Sequence, residues 1–303
     1  MHSDKGGNGT GAAEAFDAAT AWLSNAASVF AGAAESVSAS TRNTLLGKSD
    51  QTVSKVEEEL DRLDLLPTKE REAMLRLRGR AETNARDAGD GELESGLARL
   101  RAWGESVNWP ATSSTGSISQ DDTESWGDVS PRWKRLGFQS ADPRRDFRTG
   151  ILALDNLVYF CEKHPAEAEQ MCAEARSESL SYPLAVASIN LTQALAWYLS
   201  LLPGPSPLGE EIGTQPLEDP MQFHAFARMC IDQDAFGELH STAMIRLHIA
   251  WHEAKVADPA ASVAFFGQGL MEALAAVDDV VRTSPLESIA DFKRIAVTAP
   301  RRS

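Results

Sequence analysis

WKRLGFQSADPRRDFRTG at residues 133–150, running directly into ILALDNLVYF at 151–160, is the stretch from which the rest of this chain is read. In its second half Ile151, Leu152, Leu154, Leu157, Val158 and Cys161 recur at helical spacing, and His164-Pro165 ends the run. A buried helix is therefore expected from Gly150 to Lys163, with Thr149 able to cap it. In its first half Asp142-Pro143 begins a turn. Between residues 131 and 150, the cations Arg132, Lys134, Arg135, Arg144, Arg145 and Arg148 face only the carboxylates of Asp142 and Asp146. Trp133, Phe138 and Phe147 offer apolar anchors for that turn. Asp146 can accept from nearby backbone amides or orient an arginine through a carboxylate fork. Charge and spacing suit the simple arrangement in which Arg148 pairs with Asp142 or Asp146. The alternative is that Arg148, on a short tether beside rigid structure, is presented to a phosphate; spacing does not choose between them.

Outward from this stretch the pattern stays helical. Downstream, one helix is expected from Pro165 to about Arg176. Another begins at Pro183 and runs to Leu202, apolar on most sides and so central. After a Pro/Gly loop at 203–219, further helices cover about 220–231, 234–256 and 259–282, with almost no strand-like alternation. Upstream, Val53, Val56, Leu60 and Leu63 form one apolar stripe, and Leu93, Leu97, Leu100 and Trp103 another. Pro67-Thr68 supplies a stop and an N-cap, and Gly89 with Gly91 the next break. Arg71, Arg76, Arg78 and Arg80 give the middle helix a basic side, which interleaved glutamates turn into a solvated, salt-bridged face. The expected fold is all-α, a multi-helix bundle with an N-terminal helical extension. Its expected organisation is a low-complexity tail at 1–50, the extension at 51–106, a flexible linker at 107–130, the main domain at 131–282 and a C-terminal tail at 283–303.

Composition narrows the function. With 303 residues, 43% of them apolar, the chain can bury a sizeable core. Its formal charge of −15 disfavours nonspecific attraction to nucleic acid, so an anionic ligand requires a local basic patch. The tail at 1–50 is rich in Ala, Ser, Gly and Thr, yet Phe16, Ala19, Leu23, Ala26, Phe30, Ala33 and Val37 form one amphipathic helix. Residues 16–37 could contact a membrane peripherally, although no cation lies between Lys5 and Arg42 to attract anionic lipid; packing on the chain's own domain or on a partner has the same pattern. The apolar run at 184–202 is interrupted by polar residues and suits a protein core, so no transmembrane span is expected. Cys161, Cys172 and Cys230 lack paired spacing and read as buried, reduced thiols in a cytoplasmic protein.

Several chemistries are disfavoured. The chain lacks GxxxxGK[ST] and GxSxG, and the glycines at 6, 7, 9 and 11 follow no strand, so a nucleotide-hydrolysing loop, a nucleophile elbow and a dinucleotide loop are all unsupported. His248 and His252 lie one helical turn apart with His240 two turns earlier, but no third ligand has suitable spacing and no metal is expected. Trp126, Trp133, Trp197 and Trp251 read as core anchors.

Trp133, Leu136, Gly137, Phe138 and Gln139, followed by Asp142, Pro143, Asp146, Phe147 and Arg148, and then by Leu154, Asn156, Leu157, Tyr159 and Phe160, resemble the ELMO domain. The segments at 182–192 and at Trp251-His252 are similar to later landmarks of that family. The likeness covers about 131–282, and residues 1–110 show none. The resemblance implies the ELMOD type, whose members act as GTPase-activating proteins for Arf-family small GTPases, and not the larger ELMO scaffolds that partner Dock exchange factors and lack the arginine. It implies Arg148 as the catalytic arginine finger, with magnesium and GTP carried by the partner GTPase and no cofactor on this chain. In that reading Asp146 orients the finger, Trp133, Phe138 and Phe147 pack beneath it, and Gln139 lends a hydrogen bond. Arg144, Arg145, Lys134 and Arg135 would face the partner. A non-catalytic scaffold or adaptor that binds a small GTPase or exchange factor at an internal membrane is the alternative. Ser140 replaces the family's usual Gly, Arg145 its usual Thr, and the join at Thr149-Gly150 is one residue shorter.

Overall fold

The computed structural model describes residues 62–84, 88, 91–107, 109, 125–147, 150–177, 180, 182–202, 216–261, 264–283 and 288–298. The amphipathic pattern at 16–37, the stripe before residue 62, the acidic run at 120–124, and Arg148 with Thr149 lie outside them. The helices are α1 (Thr68–Glu82), α2 (Glu92–Ser106), α3 (Ile151–Lys163), α4 (Pro165–Ala175), α5 (Leu184–Tyr198), α6 (Pro220–Met229), α7 (Ala235–Ala257), α8 (Ala264–Thr283) and α9 (Ile289–Thr298), with 3-10 turns at Pro131–Leu136 and Pro143–Arg145. No strand occurs among the described residues. The fold is all-α, as the periodicity predicts.

Two helices organise the packing. α5 is buried along its whole length, as expected of a segment apolar on most sides. α3 lies against it and also touches α1, α2, α4 and α7. Some of the polar groups carried inward find partners between these helices: Asn156 Nδ2 donates to Thr192 Oγ1 at 3.1 Å, and Ser188 Oγ lies 3.2 Å from His240 Nε2, whereas the side-chain amides of Asn190 and Gln193 are buried without one. Trp251 Nε1 donates to Leu180 O at 2.7 Å, which fixes α7 to the loop before α5. Burial pushes the Cys172 thiol up to about 12 and raises Cys161 and Cys230 as well, so none offers a thiolate near neutrality.

Several expectations change. Thr68 is the first residue of α1 and not its N-cap; Pro67 occupies the cap position, extended and without a side-chain cap. Residues 125–130, expected in the flexible linker, pack onto the main domain through Trp126, whose ring meets Trp133 edge to face at 5.2 Å. The expected tail after 283 contains α9, where Phe292 is fully buried. Lys293 Nζ there lies 2.7 Å from Glu238 Oε1, and the same carboxylate accepts from Tyr159 at 2.7 Å and sits 3.1 Å from His164 Nε2.

The basic side of α1 is only partly the solvated face expected. Arg78 pairs with Glu82 and Arg71 with Asp64, whereas Arg76 donates to Cys230 O and Arg80 reaches Asp155 and Glu92. The difference arises because α1 is laid across α3 and α6, so its long stems meet acceptors on other elements.

Two histidines of α7 are built into the packing. His248 sits between Tyr182 Oη and Glu174 Oε2, 2.8 Å from each, and no His/Cys/Asp/Glu cluster suited to a metal occurs among the described residues. Burial pushes His240 from 6.5 down to about 4. An unfolded chain therefore binds a proton at this residue before the native state does. Stability should fall as pH drops from 6.5 to 4, by on the order of 3 kcal/mol from this residue. Urea denaturation at stepped pH should show that slope, and His240→Gln should flatten it; an unchanged acid slope in the variant would rule the assignment out.

Candidate functional site

The site grows from two short turns stitched to each other. Ser130 starts the first: its hydroxyl accepts from Arg132 N at 3.2 Å, its own N–H donates to Ala141 O at 2.8 Å, and Pro131 occupies the first position, where a missing N–H costs nothing. Gly137 ends it with φ 85°, a left-handed conformation that favours glycine. Asp142 starts the second by accepting from Arg144 N, and Pro143 again follows the cap. Asp146 Oδ2 then accepts from Gln139 N at 2.8 Å, closing the second turn onto the first.

Beneath the turns lies an aromatic chain. Trp133 meets Phe138 at 5.7 Å and Phe138 meets Phe147 at 5.6 Å, both edge to face, and all three side chains are fully enclosed. Trp133 Nε1 donates to Gly127 O at 2.9 Å, so even its polar edge is satisfied. On the far side of Arg148-Thr149, Gly150 has φ 143° and lies so close to α1 that an added Cβ would stand 2.5 Å from Ala81 O. The next residue, Ile151, donates to Thr83 O at 3.0 Å. The described residues on both sides of Arg148-Thr149 are thus anchored, one by aromatic packing and the other by backbone contact.

The cations do not form one outward patch. Arg144, expected to face a partner, is committed internally: its guanidinium makes a fork with Glu94, 2.8 Å to each oxygen, and also reaches Asp128 O at 3.1 Å and Asp142 Oδ1 at 3.4 Å. The hydrogen bond to Glu94 raises the Arg144 pKa above its ordinary value, while the hydrogen bond from Arg101 lowers that of Asp128. Arg145 lies 3.7 Å from the same Asp142 and is largely exposed, as is Lys134. Arg135 is half-buried. Neither Glu94 nor Asp128 was legible as a site residue, because nothing in their local sequence signals a partner; Glu94 precedes Arg144 by 50 positions.

Arg144 should accordingly behave as a structural residue. Arg144→Gln and Glu94→Gln should each lower the unfolding free energy by about 1 kcal/mol, the range of partly exposed ion pairs, and the double variant should lose less than the sum. Chemical denaturation of the three variants checks this, and strict additivity would show that the fork contributes nothing.

A family model described as the ELMO/CED-12 family matches residues 91–268, beginning at α2 and so ahead of the expected start at 131. ELMO domain-containing protein 2 of Homo sapiens is 46% identical over 66 residues, 22% of this chain and 22% of that protein. ELMO domain-containing protein B of Dictyostelium discoideum is 45% identical over 65 residues, covering 21% and 22%. ELMO domain-containing protein C of the same organism is 43% identical over 67 residues, covering 22% and 10%. The match thus spans about a fifth of the length of the first two relatives and about a tenth of the third. No solved structure matches the chain.

Proposed function

Because the chain belongs to the ELMO/CED-12 family, whose match takes in more than half of it, we propose that it is a GTPase-activating protein for an Arf-family small GTPase and supplies Arg148 in trans as an arginine finger. The observation that supports this reading is the anchoring on both sides of the arginine: Phe147 in the aromatic chain and Gly150 against Ala81. An arginine on a short segment with fixed ends loses little freedom on engaging a phosphate. As the terminal phosphoryl group leaves, negative charge spreads over its oxygens, and a guanidinium brought to that point stabilises the transition state more than the ground state. Magnesium, GTP and the attacking water belong to the partner in this proposal. Asp146 acts as a positioning residue, since its grip on Gln139 N holds the second turn against the first.

A second reading has one observation in its favour. Glu94, Asp128 and Asp142 neutralise Arg144, which weakens the basic field that a catalytic surface would use for attraction. A non-catalytic adaptor that binds a GTPase or exchange factor needs no such field at the finger. No described helix is long and apolar enough to cross a membrane; in either reading the membrane contact is assigned to residues 16–37. The test is single-turnover GTP hydrolysis by a panel of GTP-loaded Arf-family proteins, with and without the full chain. Acceleration of at least one member is expected; no acceleration of any member returns the chain to the adaptor reading.

A further inference from the structure

α3 begins without a side-chain cap, because Gly150 holds the N-cap position and has only its backbone to offer. The end of α1 supplies what is missing. Thr83, the residue after α1, accepts from Ile151 N at 3.0 Å. The peptide joining Arg80 to Ala81 lies against Gly150, where an added Cβ would stand 2.5 Å from Ala81 O and 3.4 Å from Arg80 O. Carbonyls at the C-terminal end of one helix thus meet the N-terminal end of another, so the partial charges of the two ends attract.

One side chain holds these ends together. Arg80 makes a fork with Asp155, one turn into α3: Nη2 donates to Oδ1 at 2.9 Å and Nε donates to Oδ2. Its Nη1 also donates to Glu92 Oε2 at 3.3 Å, on the first residue of α2. A bidentate guanidinium–carboxylate pair fixes orientation as well as distance, and here it is made by the residue whose own carbonyl faces Gly150. Any sliding of α1 along α3 therefore breaks the fork and displaces the seat of Gly150 in one movement. A second fork on α3 is built alike but placed elsewhere. Arg99 Nε on α2 donates to Glu162 Oε1 at 2.8 Å and its Nη2 to Oε2, near the end of α3 opposite to Gly150. That is two turns beyond Asp155, about 10 Å at 1.5 Å per residue.

We propose that Arg80 is a positioning residue for the finger, and that α1, which lies ahead of the family match at 91–268, is thereby part of the site. This inference rests on the GTPase-activating reading. The Arg80–Asp155 fork fixes the helix end on which Gly150 is seated, and so the point from which Arg148 is presented to the phosphate. Arg80 acts through Gly150 and not on the nucleotide.

The test is single-turnover GTP hydrolysis by a GTP-loaded Arf-family protein with the full chain. Affinity for the same GTPase carrying a non-hydrolysable nucleotide and the melting temperature of the chain are measured beside it. Arg80→Gln and Asp155→Asn should each slow the accelerated rate by about tenfold or more, as expected of a misplaced catalytic group, with affinity held within about twofold. Arg80→Lys keeps the charge but not the fork, and its rate should fall between wild type and Arg80→Gln. Arg99→Gln removes the other fork and should lower the melting temperature about as much while keeping the wild-type rate. Acceleration by wild type with undiminished rates in Arg80→Gln and Asp155→Asn overturns this inference alone. So does an equal loss of rate in Arg99→Gln, which would make the effect one of stability. No acceleration by wild type overturns the GTPase-activating reading and this inference with it.

Discussion

Arg148→Ala should abolish the acceleration of GTP hydrolysis, a loss of about 10³-fold or more and so at least about 4 kcal/mol of transition-state stabilisation. The size follows from the role. An arginine finger contributes only where charge develops, so its removal appears in the rate of the chemical step and not in the affinity for the loaded GTPase. Arg148→Lys should recover little, because an ammonium is a point charge and cannot span two phosphoryl oxygens with a planar fork. Single-turnover hydrolysis gives the rate, and binding of the chain to a GTPase loaded with a non-hydrolysable nucleotide gives the affinity. A fall in rate at unchanged affinity and an unchanged melting temperature assigns the effect to chemistry. Full acceleration by Arg148→Ala would remove the finger and assign the acceleration to another group.

Gly137→Ala should be among the most destabilising single substitutions available, at about 3–6 kcal/mol. Gly137 sits at φ 85°, where a Cβ costs about 1–2 kcal/mol. That Cβ would also stand 2.2 Å from Leu184 N and 2.7 Å from Pro183 C, backbone atoms at the start of α5 that have nowhere to retreat. Forcing them apart costs about 1–3 kcal/mol more. It also breaks the bond from Val186 N to Gly137 O, which at 3.3 Å serves a first-turn amide of a helix that has no side-chain cap, adding about 1 kcal/mol. The sum is a large part of the 5–15 kcal/mol that typically separates folded from unfolded domains. Gly79→Ala is the counterpart: its Cβ would meet nothing within 4 Å in α1, and it should stabilise by up to about 1 kcal/mol. Urea denaturation of both variants checks the pair, and a Gly137→Ala cost below about 1 kcal/mol would show that the α5 junction yields.

How far the chain could be read without coordinates varied with the range of the interaction. Apolar spacing located α3 and α5, because a helix carries its own 3.6-residue period and a buried one shows it in consecutive residues. It was less reliable at 283–303, where Phe292 and Ile289 lie on the inward face of a short helix and the segment looked like a tail. Trp133, Phe138 and Phe147 were legible as anchors because large aromatics close together in a short turn have few other places to go. The fate of the cations was not legible. Arg144 is held by Glu94 on α2 and Arg80 by Asp155 on α3; counting charges along the chain could not anticipate either.

The sequence by itself determined the all-α class, the central place of α5, the aromatic anchors of the turns and, through the motif from Trp133 to Phe160, the family. Each rests on side-chain type and periodicity, which act over a few residues and are written consecutively. Only the tertiary structure decided that Gly137 is wedged against the backbone of α5 and that Arg144 is spent on internal carboxylates. Those outcomes depend on which distant elements come into contact, and a Coulomb or hydrogen-bonding partner is chosen by distance in space and not by position along the chain.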